Sequence, residues 1–106
     1  MIQRDVIDGR TRPVKEQRAA LVEFELELAL QCLETAESAD CVRKRFRNLR
    51  NAERAYGNVG ALLSRGVQCD PERRQRIICD VIALDCRLTA LMDESRAVCG
   101  ADRTLQ

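Results

Sequence analysis

The sequence predicts an all-α protein, an antiparallel three-helix bundle with a loose N-terminal arm. Three observations carry this. Apolar residues recur in alternating steps of four and three, the coiled-coil-like spacing that lines one helix face. Glycine (5) and proline (2) are scarce in 106 residues, which leaves room for few turns. The run Asp70-Pro71-Glu72 is a strong helix start: Asp caps, Pro suits the first helical position, and Glu faces the positive dipole end.

Residues 1–12 show mixed charge and no periodicity, and are expected as a flexible arm. A single bundle domain is expected over 13–100, with 101–106 frayed. Helix one is predicted over 13–38, with Pro13 in its first turn and a seam of Val22, Leu26, Ala29, Leu33 and Ala36. Leu21, Leu28 and Cys32 are expected to widen that seam. The phase slips at Ser38-Ala39-Asp40, where continuing the seam would bury Asp40 and Arg43. A tight turn is predicted there, with Ser38 or Asp40 capping helix two. Helix two is predicted over 41–65, with a stripe of Val42, Phe46, Leu49, Tyr56 and Leu63. Gly66 suits the left-handed position that ends it, with Val67 as the apolar contact behind. Helix three is predicted over 71–98, with a seam of Ile77, Val81, Leu84, Leu88 and Leu91, and Gly100 as its stop. Short links make neighbouring helices antiparallel.

Charge adds a register. Glu23, Glu27, Glu34 and Glu37 flank the seam of helix one, and Arg43, Arg47, Arg50 and Arg54 flank that of helix two. A hairpin bent near residue 40 would pair Glu37 with Arg43, Glu34 with Arg47 and Glu27 with Arg54. Such pairs contribute roughly 0.2–1 kcal/mol each when exposed, and serve mainly to exclude slipped pairings.

Composition narrows the function classes. The chain carries 18 basic and 17 acidic residues, a net charge of +1, so no global field draws it to nucleic acid or anionic lipid. Histidine is absent, which excludes Ser-His-Asp chemistry, histidine phosphotransfer and imidazole metal sites. No Gly-rich loop joins a strand to a helix, and no carboxylate pair or activated nucleophile stands out, so no catalytic residue and no enzyme activity is assigned. The six cysteines contain no C-x-x-C spacing, and four thiolates do not converge in the expected bundle, so no metal site and no cofactor is expected. Met1-Ile2-Gln3-Arg4-Asp5 lacks an apolar signal region, and no segment is apolar enough to span a bilayer. The expected location is the cytoplasm, with thiols reduced and no membrane partner. Sixteen of the eighteen basic residues are arginine, a bias that GC-rich coding produces and that suggests a bacterial origin.

Three candidate sites remain. Ile78, Cys79, Ile82 and Cys86 lie on helix three away from its seam, so that helix is apolar around much of its circumference. This back face is the candidate partner interface, most simply of a homodimer. The competing expectation is a broad core face in a monomer. The leading functional reading is therefore a helical protein-interaction or self-association module. The alternative is nucleic-acid contact, with Arg43, Arg47, Arg50 and Arg54 as candidate phosphate contacts. Aromatic content of 3% gives that reading almost no stacking platform. A weaker alternative is a small-ligand groove at Tyr56, Gly57, Asn58 and Gly60, where two glycines in one helical turn call for compensation.

Overall fold

The computed structural model describes the backbone of residues 2–105 and the side chains of residues 16–97. It is a three-helix bundle of α1 (Ile2–Glu37), α2 (Val42–Ser64) and α3 (Pro71–Leu105), with no strand among the described residues.

Two ends differ from expectation. The segment expected as an arm, residues 1–12, is helical from Ile2, and α3 runs through Gly100 to Leu105 instead of fraying from residue 101. The physical reason is cooperativity. Once a packed helix is nucleated, each further turn costs only propagation, and one Pro or Gly does not cancel that.

The first link also differs in detail. Ser38 finishes α1 instead of starting α2, its Oγ donating to the Glu34 carbonyl at 3.0 Å. The N-cap of α2 is Cys41, in extended backbone and with no side-chain cap bond. The second link follows expectation. Gly66 has φ +91, and its N–H donates to the Leu63 carbonyl at 3.1 Å. Arg18 of α1 then donates to the Arg65 and Gly66 carbonyls at 2.7 and 2.6 Å, placing a cation on the negative end of α2. Asp70 caps α3, accepting from the Arg73 N–H at 2.8 Å.

The core contains Val22, Leu26, Ala29, Leu33 and Ala36 from α1 and Ile77, Leu84, Leu88 and Leu91 from α3, with Val81 half-buried beside them. These are the predicted seams. Leu21 and Leu28 do not widen the α1 seam; both are exposed. In α2 the core residues are Leu49, Ala52, Ala55 and Val59, while Val42, Phe46 and Leu63 of the predicted stripe are exposed. Relative to expectation, α2 is turned about its axis by roughly 70° at 3.6 residues per turn. Side-chain size explains the turn. Alanines at 29, 36, 52 and 55 let the α1 and α2 backbones approach closely, which a stripe of Phe46 and Tyr56 would prevent. The α1–α2 hairpin is accordingly the tightest pairing, and α3, presenting Ile and Leu, packs at a greater distance.

That turn dissolves the expected charge ladder. No ion pair joins Glu27 or Glu34 to Arg43, Arg47, Arg50 or Arg54 among the described residues. The acids of α1 pair with α3 instead. Arg73 holds Glu23, its Nε at 2.9 Å, and Arg87 holds Glu37. Both pairs span the same sequence separation, as a parallel α1–α3 packing requires.

Candidate functional site

The back of α3 stands open. Ile78 is 45% exposed and Ile82 58% exposed, with Cys79 and Cys86 exposed beside them. At 100° per residue these four positions lie away from Ile77, Leu84 and Leu88, so the helix cannot turn both sets inward. The expectation of a broad monomer core is therefore not met: these side chains face water.

A second apolar strip lies on α1, where Leu21, Phe24 and Leu28 are all exposed and Phe24 reaches 61%. Their i, i+3, i+7 spacing is legible in the sequence, although hydrophobicity alone places Leu21 and Leu28 with the core.

The outward face of α2 is basic. Arg43, Arg47, Arg50 and Arg54 line one shallow groove with Phe46 and Asn51, on the side opposite Ala52 and Ala55. None of the four has a carboxylate within 4.0 Å among the described residues. Their neighbours Lys44 and Arg45 do have partners, Asp40 at 3.5 Å and Glu94 at 3.8 Å.

Of the residues expected to line a groove in α2, Gly57, Asn58 and Gly60 are exposed and Tyr56 is half-buried. A Cβ added at Gly57 or Gly60 would meet nothing within 4 Å, so neither glycine serves a close approach. Asn58 lines a different groove, between α1 and α2, with Glu25, Cys32 and Arg54. Tyr56 turns toward α3. Burial raises its phenol above the ordinary 10.0, and the nearby Asp85 carboxylate adds to the rise.

Among the described residues two buried polar atoms lack partners, Glu25 Oε2 and Ser95 Oγ. Ser95 is only 3% exposed and continues the α3 seam one turn beyond Leu91. Neither is legible in the sequence, because a polar residue beside or on a helix seam carries no signal that it lacks a partner.

Among the described residues no three Cys, Asp or Glu side chains converge as a metal site, and Cys32, Cys41, Cys69, Cys79 and Cys86 are free thiols. No described helix is long and apolar enough to cross a membrane. Comparison with family models, with curated proteins and with solved structures finds no match to this chain.

Proposed function

We propose that the chain works by contacting protein, as a self-associating helical module whose interface is the back of α3. The observation that supports this is the exposure of Ile78 and Ile82 beside two exposed cysteines, on a helix whose opposite face already fills the core. Covering a large aliphatic side chain contributes roughly 1.5–3 kcal/mol, and a twofold interface counts each residue twice. A second copy is the simplest partner, because it brings the same uncovered face at the same concentration. The free thiols fit a reducing compartment, and we read the location as cytoplasmic. The arginine-rich composition fits a bacterial host. No enzyme activity and no cofactor enter this reading.

Sedimentation at micromolar concentration should give twice the 12.0 kDa chain mass. Ile82→Glu places a charge at the centre of the face and should return the species to 12.0 kDa with unchanged helical circular dichroism. A wild-type chain that sediments as a monomer, or a dimer that survives Ile82→Glu, would end the proposal.

A further inference from the structure

We infer that the outward face of α2 binds the phosphate backbone of double-stranded nucleic acid, through Arg43, Arg47, Arg50 and Arg54. This goes beyond self-association and uses the opposite surface chemistry on a different helix.

The first support is charge segregation. Val42–Ser64 carries six basic residues (Arg43, Lys44, Arg45, Arg47, Arg50, Arg54) and one acidic residue, Glu53, in a chain whose net charge is only +1. The four arginines repeat at steps of four, three and four, so they form one row about 17 Å long at 1.5 Å per residue. A duplex offers one negative charge per about 1.7 Å of its axis, which gives every guanidinium of such a row a phosphate within reach.

The second support is that α2 pays for this row locally. Its first turn holds Arg43, Lys44 and Arg45 and no acid, its N-cap Cys41 makes no side-chain cap bond, and although Asp40 and Glu94 meet Lys44 and Arg45, Arg43 has no carboxylate within 4.0 Å among the described residues. Cations at a helix N-terminus oppose the macrodipole, and a cap of Ser, Thr or Asp would remove part of that cost. The arginines could have met the α1 glutamates, yet the packing of α2 on Ala52 and Ala55 turns them to water. Where local rules are broken without a compensating contact inside the fold, a contact outside it is the expected compensation.

The face also selects among anionic partners. Phe46 is the lone aromatic in the groove, so bases of a single strand have nothing to stack on. The exposed apolar residues beside the row are Val42 and Phe46, too few to anchor insertion into a lipid surface. A regularly spaced polyanion of fixed shape fits best, read through its backbone and without base specificity.

Fluorescence anisotropy of the full chain with a random-sequence duplex of about 20 base pairs tests this. Binding at 50 mM salt should weaken roughly 100-fold by 200 mM, because four displaced counterions give a log–log salt slope near −3.6. Arg47→Gln with Arg50→Gln should halve that slope, since each lost phosphate contact reduces it by about one. The control pair Arg74→Gln with Arg76→Gln on α3 should leave the slope unchanged. Thermal melts of both pairs check that the fold persists. Absence of binding at 50 mM salt, a slope indifferent to the α2 pair, or equal affinity for polyglutamate or for anionic vesicles would each overturn the inference.

Discussion

Leu33→Ala should destabilise the fold by about 2–5 kcal/mol, toward the upper end of that range. Leu33 is fully buried and is the largest of the fully buried side chains. The cost of such a change depends on whether neighbours can move into the space. Its core neighbours along α1, Ala29 and Ala36, lie about one turn to either side. These side chains have no rotamer to swing inward, so the cavity persists and its walls lose their contacts. Small domains have about 5–15 kcal/mol in total, so the variant should lose a large share of its stability. Urea unfolding monitored by circular dichroism measures it. A loss below about 1 kcal/mol would mean that Leu33 is not at the centre of the core.

Gly57→Ala combined with Gly60→Ala should stabilise the protein, by about 1 kcal/mol for each glycine. Both lie inside α2 with no positive φ, and the added methyl groups meet only open space. Alanine removes backbone freedom from the unfolded chain and disturbs nothing in the folded one. At roughly 4–8 °C per kcal/mol for a domain near this size, the melting temperature should rise by about 10 °C. A fall would show that something approaches these glycines in solution. Gly66 is the informative contrast. At φ +91 it occupies backbone that an alanine resists, whatever space surrounds it.

How far the sequence discloses this fold varies by helix, for physical reasons. The seams of α1 and α3 are legible because apolar residues recur there in steps of three and four over several turns, a regularity that the exposed Leu21, Phe24 and Leu28 or Ile78 and Ile82 do not sustain. In α2 the large residues and the buried residues coincide only in part, at Leu49 and Val59. Val42, Phe46 and Leu63 carry the stronger apolar signal, but Ala52 and Ala55 allow the closer approach, and closeness decides the packing. Hydrophobic counting does not weigh that geometric term. The expected ladder inherited the same error, since a turn of roughly 70° carries an arginine row from the flank of a helix to its back. The residues of both candidate surfaces were therefore readable, whereas the orientation of the basic one was not. The caps show the converse. Asp70-Pro71 and Gly66 act through their own backbone and immediate neighbours, and local chemistry of that kind survives any rearrangement at longer range.

The uneven spacing of the helices bears on how the molecule breathes. Two rods joined through alanines form an intimate pair, and the third leans on them through longer side chains and the Glu23–Arg73 and Glu37–Arg87 bridges. Amide protons along α3 should accordingly exchange first and those of the α1–α2 hairpin last, a hierarchy of partial opening that native-state hydrogen exchange resolves. A chain that releases one rod while keeping the other two zipped bares Ile77, Leu84 and Leu88 for brief intervals, so its least protected segment is also its stickiest.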